Sequence, residues 1–197
     1  MKILAFVDTH GSAAALKRIK ELTEKEKPDI IVCAGDISIF GHNLDALVQR
    51  MSSLKIPALF IHGNHESEDE MKESCSLFNT THYIHKKRFE HDGFVFVGYG
   101  GGGFAQKDLR FNTFTDQIKN KLDKPVILVV HGPPFGTRVD FLSGSHHGNK
   151  SYRQFIDIYK PALVICGHFH ENEGKMEKIG NSLIINPGHG KIIELKR

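Results

Sequence analysis

The sequence predicts an α/β protein with parallel strands covered by helices, and three observations predict it. Apolar runs at 3–7, 29–34 and 58–61 alternate with amphipathic stretches at 13–26 and 43–54. Pro28, Pro57, Pro125 and Pro161 each open an apolar run, a position where the missing N–H is not needed by a ladder. Each of those runs ends in a polar residue, Asp36, Asn64, His131 or His168, six to eight residues after its proline. With Asp8 after the first run, five polar residues stand at carboxyl ends of strands. Open α/β sheets place their ligands there.

The elements follow in order. Run 3–7 reads as a buried strand ending in Asp8-Thr9-His10-Gly11. Ser12 caps a helix over 13–26, with Leu16, Ile19 and Leu22 on one face, and Pro28 stops it. Strand 29–34 ends in Gly35-Asp36. Helix 43–54 carries Leu44, Leu47, Val48 and Met51 as its apolar stripe, and strand 58–61 ends in His62-Gly63-Asn64-His65-Glu66. This β-α-β-α-β order implies crossovers and a parallel sheet. A short helix over 67–76 comes next. Residues 83–90 and 94–99 read as two strands turning at His91-Asp92-Gly93. Four glycines at 100–103 read either as a flexible turn or as a close approach to phosphate. A polar helix follows from about 108 to 122. Strand 126–130 is β-branched and ends in His131-Gly132-Pro133-Pro134. Residues 135–150 hold too many glycines and polar residues for a regular element and read as a loop. A helix over 152–160 leads to Pro161 and the run 162–166, which stops at Gly167. His168 and His170 then project from one short loop, close enough to serve two adjacent metal ions. The tail reads as three antiparallel strands, 175–179, 182–186 and 191–195, turning at Gly180-Asn181 and Pro187-Gly188-His189-Gly190. No linker interrupts the chain, so a single domain over 1–197 is expected.

Composition bounds the function. A length of 197 residues suffices for one domain with its own core. A net charge of +3 is too small to argue for nucleic acid or a membrane surface. Cys33 and Cys166 sit inside apolar runs, so reduced, buried thiols in a cytoplasmic compartment are expected. The apolar run after Lys2 is too short for a signal peptide, and no run approaches the ~20 residues of a membrane span.

The candidate site residues are Asp8, His10, Asp36, Asn64, His131, His168 and His170. They offer oxygen and imidazole nitrogen and no thiolate, which suits divalent Mn, Fe or Zn rather than a structural Cys-type zinc. Seven donors exceed one ion's needs and fit two ions sharing a carboxylate, about 3.5–4 Å apart, which could clamp an in-line displacement at phosphorus.

These residues spell Asp-x-His, Gly-Asp, Gly-Asn-His-Glu, His-Gly and Gly-His-x-His, in that order, from residue 8 to 170. The chain therefore resembles the calcineurin-like metallophosphoesterases. Segments 98–113, 147–150 and 186–188 resemble the small single-domain archaeal and bacterial members. The resemblance implies a two-sheet β-sandwich flanked by helices, in four α/β/β/α layers. It implies that Asp8, His10 and His170 bind one metal, that Asn64, His131 and His168 bind the second, and that Asp36 bridges them. It implies a metal-bridging hydroxide as nucleophile, with His65 at the leaving oxygen as the catalytic residue. Glu66 would orient an imidazole. The expected cofactors are two divalent ions, manganese first, with Fe, Zn, Ni and Co as alternatives. The expected substrate is a small phosphate ester, a diester ahead of a monoester or nucleotide. No membrane or nucleic-acid partner is expected, and the oligomeric state is open, a homodimer included.

Other assignments weigh less. A non-catalytic scaffold resembling the small retromer subunit would have an incomplete site, whereas His65 and all seven donors are present here. DNA nucleases of the superfamily carry a basic groove, and Lys and Arg are scattered here. No His-x-His-x-Asp-His run occurs, which argues against a metallo-β-lactamase fold. His146, His147, Arg110 and Arg138 are weaker substrate candidates in polar segments. His189 stands where a small residue is expected and could lie near the site. His42, His62, His82, His85 and His91 have no motif around them and read as structural.

Overall fold

Residues 1–196 are described by a computed structural model. β1 (Lys2–Phe6) is followed by α1 (Ala13–Glu26), whose cap Ser12 accepts from the Ala15 amide at 3.3 Å. Lys27 closes α1 in a left-handed conformation just before Pro28. β2 (Ile30–Cys33), α2 (Leu44–Ser52) and β3 (Ala58–Phe60) complete the predicted crossovers. α3 (Glu68–Ser76) begins with a capping box between Ser67 and Glu70. β4 (Thr81–Tyr83) lies parallel to β3.

The strand expected over 83–90 is in fact two. β4 belongs to the first sheet, and β5 (Lys87–His91) belongs to the second. The chain crosses between layers at Ile84-His85-Lys86, where Lys86 takes φ 50°. β5 turns through Asp92-Gly93 into β6 (Phe94–Tyr99), with His91 paired to Phe94. α4 (Leu109–Ile118) tightens into a 3-10 turn over Lys119–Lys121, inside the helix expected over 108–122. β7 (Val126–Val130) is fully buried.

Residues 135–150 are not wholly irregular. β8 (Phe141–Leu142) and β9 (Ser145–His146) form a small hairpin around Ser143-Gly144. α5 (Lys150–Tyr159) starts two residues earlier than expected because Asn149 caps it, accepting from Ser151 and Tyr152. β10 (Leu163–Ile165) and the hairpin of β11 (Met176–Ile179) and β12 (Ser182–Ile185) follow. The last tail strand, β13 (Lys191–Glu194), does not extend that hairpin. It crosses to the first sheet and pairs antiparallel with β1.

The first sheet therefore has the order β13-β1-β2-β3-β4, and the second β11-β12-β10-β7-β6-β5. Between them lies one apolar layer that includes Val7, Val32, Leu59, Phe96, Val129 and Ile165. α1, α2 and α3 cover the outer face of the first sheet, where Phe6, Ile19, Val48 and Phe60 meet. α4 and α5 cover the second, around Phe111, Leu128 and Tyr152. Sheets buried on both faces account for the unbroken apolar strands. The result is the α/β/β/α sandwich. Cys33 packs on the outer face of the first sheet with Cys75 of α3 nearby, and Cys166 on the outer face of the second. All three are buried free thiols.

Candidate metal centre

Five parallel strands end at one edge of the sandwich. β1, β2 and β3 deliver Asp8, Asp36 and Asn64 from the first sheet, and β7 and β10 deliver His131 and His168 from the second. Glycines permit the close approach. A side chain at Gly63 would collide with the Asp36 carboxylate, and one at Gly167 would lie 2.7 Å from Asp8 Oδ2. Asp8, His10, Asp36 and His168 themselves adopt positive φ, of 53°, 46°, 51° and 70°. Non-glycine residues persist there only where their surroundings hold them, and such strain gathers at functional sites.

All eight residues singled out from the sequence converge. Asn64 Oδ1 lies 2.9 Å from both His131 Nε2 and His168 Nδ1. His131 Nε2 is 3.4 Å from Asp36 Oδ2. The Nε2 atoms of His10 and His170 are 3.2 Å apart, and His170 Nε2 is 4.0 Å from Asp8 Oδ1. His65 Nε2 is 4.0 Å from Asp36 Oδ2, and its ring sits 4.7 Å from that of His10. Three groups bring donor atoms within 4.8 Å of one another, Asp8-His10-His170, His10-Asp36-His65 and Asp8-Asp36-His131, and any of them could hold a metal ion.

The orientations are set from behind. His131 donates through Nδ1 to the Ala34 carbonyl at 2.9 Å, and His10 Nδ1 faces the Ser38 carbonyl at 3.3 Å. Each imidazole thereby turns Nε2 into the cluster. The His168 amide donates to Asp8 Oδ2 at 2.8 Å, and the His65 amide to Asp36 Oδ1 at 2.9 Å.

Glu66 differs from its expected role, for it touches no imidazole. Its carboxylate accepts from the amides of Asp36, Ser38 and Gly63 and from the Ser38 hydroxyl, at 2.8–3.1 Å. It ties together the backbones of two strand-end loops. His189 does lie at the site, with Nε2 3.2 Å from the Asp8 carbonyl.

Charge is concentrated here. Burial opposes ionisation of Asp36, yet hydrogen bonding and charge from His131 pull its carboxyl down to about 2. Burial works against a charged His131, and its bond to Asp36 overrides this, raising it to about 9. Burial pushes Asp8 above the usual carboxylate range. It also lowers His168 to about 4, assisted by the charge on His131. Asp8 Oδ1, His65 Nδ1 and His168 Nε2 are buried without a hydrogen-bond partner. Orphaned polar atoms on a cluster of oxygen and nitrogen donors fit divalent cations.

The weaker candidates make local contacts outside the donor cluster. His146 bonds Asp140 at 2.8 Å and packs on Phe141, and His147 bonds Ser145. Arg110 and Arg138 are both exposed in polar segments. Ser38, which donates to Glu66 through both its amide and its hydroxyl, escaped sequence reasoning because a lone serine carries no spacing signal. Phe40 and Phe104 escaped it too. Their rings lie 4.5 Å from those of His65 and His168, and the one available signal was an apolar residue stranded in a loop.

A two-sheet sandwich with an Asp/His cluster at its strand ends defines a metallohydrolase-type scaffold. The family profile described as calcineurin-like phosphoesterase matches residues 1–172. The chain belongs to that family. It is 28% identical over 201 residues to an uncharacterized protein of Methanocaldococcus jannaschii, covering 95% of this chain and 88% of that one. A protein of Arcobacter nitrofigilis named a probable glycerophosphodiester phosphodiesterase is 22% identical, over 88% of this chain and 68% of its own length. A crystal structure of a Thermus thermophilus protein superposes with TM-score 0.79 at 18% identity, covering 95% of this chain and 88% of that one. That likeness concerns the fold.

Proposed function

We propose that this chain hydrolyses a phosphodiester using two divalent cations. The observation that carries the proposal is the convergence of seven oxygen and nitrogen donors from five strand ends, with Asp8 Oδ1 and His168 Nε2 buried and unpartnered. Asp8, His10 and His170 would hold one cation, and Asn64, His131 and His168 the other. Asp36, within reach of His131 and His65, would serve both. When bound, the cations would supply a water activated for in-line attack and neutralise the phosphoryl charge. Manganese suits the mixed imidazole and carboxylate set, and iron, zinc, nickel and cobalt are chemical alternatives.

The protein's own groups do the rest. Glu66 fixes the loops that carry Asp36 and Asn64. His65, whose Nε2 faces the cluster 4.0 Å from Asp36 Oδ2, would deliver a proton to the leaving oxygen. The diester preference is supported by the name of the Arcobacter relative. No helix among the described residues is long and apolar enough to cross a membrane, and three buried free thiols accord with a reducing cytoplasm.

Two variants test the separation of roles. Asp36→Asn should lose bound metal and turnover of bis(p-nitrophenyl) phosphate together. His65→Ala should keep its metal and lose turnover on the order of 10²–10⁴-fold. Equal metal loss in both, or no turnover by the wild type with any divalent cation, overturns the proposal.

A further inference from the structure

Phe40 and Phe104 are the two most exposed large apolar side chains among the described residues, at 78% and 77%. Isolated exposed phenyls are ordinary surface features, but these two flank one site. Phe40 leans on the His65 ring at 4.5 Å and 36°. Phe104 meets the His168 ring edge-on at 4.5 Å and 73°. Both imidazoles adjoin Asn64, His65 as the next residue and His168 through the 2.9 Å contact.

Neither phenyl contributes to a core cluster, and each is held out by an unusual backbone. Phe40 has φ 48°, a conformation that is costly for a bulky residue. Its loop is braced from below, since Glu66 binds Ser38 and the Ser38 hydroxyl accepts from the Gly41 amide at 3.1 Å. Phe104 is reached through the glycine run, in which Gly101, Gly102 and Gly103 all take positive φ. A Cβ at Gly103 would stand 3.4 Å from His168 Cε1. The glycines thus bring the chain against His168 and set a phenyl over it. Two solvent-facing rings, one on a loop after a strand of each sheet, border a polar cluster whose donors suit divalent cations, which would in turn attract a phosphoryl group.

We propose that Phe40 and Phe104 form an aromatic clamp that binds a flat ring carried by the phosphate ester, a nucleobase or an aryl group. This rests on the phosphoesterase reading above and narrows it, excluding purely alkyl esters as the preferred substrates. Stacking of a base on an aromatic side chain is sequence-tolerant and strong enough to set preference.

The test uses the Mn²⁺-loaded full chain and three phosphates, adenosine 5′-monophosphate, phenyl phosphate and glycerol 3-phosphate, with affinities measured by calorimetry. The wild type should prefer the ring-bearing ligands. Tight adenosine 5′-monophosphate with weak phenyl phosphate assigns a nucleobase, and tight binding of both assigns any aryl group. Phe40→Ala and Phe104→Ala should each reduce the ratio of ring-bearing to glycerol phosphate affinity roughly tenfold. Phe40→Tyr should restore it. Equal weakening of all three ligands, or an unchanged ratio, overturns the clamp. Hydrolysis of bis(p-nitrophenyl) phosphate and of glycerophosphocholine separates the two readings. Ring preference in binding without turnover of either diester keeps the clamp and sinks the hydrolase. Turnover of both with no ring preference does the reverse.

Discussion

A buried carboxylate is tolerated when its lone pairs are filled, and Glu66 fills both oxygens with backbone and hydroxyl donors. Glutamine there could satisfy only one pair and would turn an NH₂ toward the other. Glu66→Gln should lower the stability of the metal-free protein by about 1.5–3 kcal/mol in urea unfolding. It should also weaken metal binding on the order of 10–100-fold in titration, since the loops bearing Asp36 and Asn64 would loosen. A second prediction concerns pH. His131 is raised to about 9 from an ordinary value of 6.5. Its proton therefore stabilises the metal-free fold fully below pH 6.5, and that stability is lost as pH rises through about 9. Melting temperature in chelator should fall across this window, and Asp36→Asn, lacking the partner charge, should flatten the fall. At this scale five of the eight candidate site residues were legible because each follows an apolar run, and His10, His65 and His170 because they lie one or two residues further on in the same motifs. Their positive φ values were not legible, because aspartate and histidine announce no such conformation. The partners of Glu66 depend on two loops meeting, which spacing along one segment does not encode.

Strands that open with proline were readable one by one, since a buried parallel strand needs a long apolar run and a defined start. Layer membership was not readable. Residues 83–90 show a continuous pattern, and the change of sheet between β4 and β5 depends on Lys86 and on a bridge between His85 and Gly98. Gly98 is the tightest point of that crossing. A Cβ there would meet the Ile84 carbonyl and sit 2.8 Å from Ile84 Cδ1. Gly98→Ala should cost about 1–3 kcal/mol in denaturant unfolding. An undiminished midpoint would mean that the crossing has slack. The strand β13 was expected, but its sheet escaped for the same reason, because its partner β1 lies at the other end of the chain. The hairpin of β8 and β9 did carry a turn signal in Ser143-Gly144, but two-residue strands are too short for periodicity to reveal.

At the scale of the molecule, the β-α-β-α-β pattern foretold one parallel sheet, and the second sheet came from the family resemblance. Period-2 and period-3.6 patterns report which residues are buried, not how many sheets share the burial. The candidate centre straddles both sheets, with Asp8, Asp36 and Asn64 on one side and His131, His168 and His170 on the other. The three cysteines mark the outer side of each of those sheets, shut beneath helices at 0–2% exposure. Burial pushes Cys75 up to about 12 and raises Cys33 and Cys166 as well. They are therefore protonated as well as inaccessible, and a chromogenic disulfide reagent should find no nucleophile until a helix lifts away. Released colour would then clock the opening of the sandwich, slowly in buffer and with three equivalents per chain in denaturant. Divalent cations that staple the two sheets should slow that clock further, and immediate labelling of the native protein would show that the layers part freely.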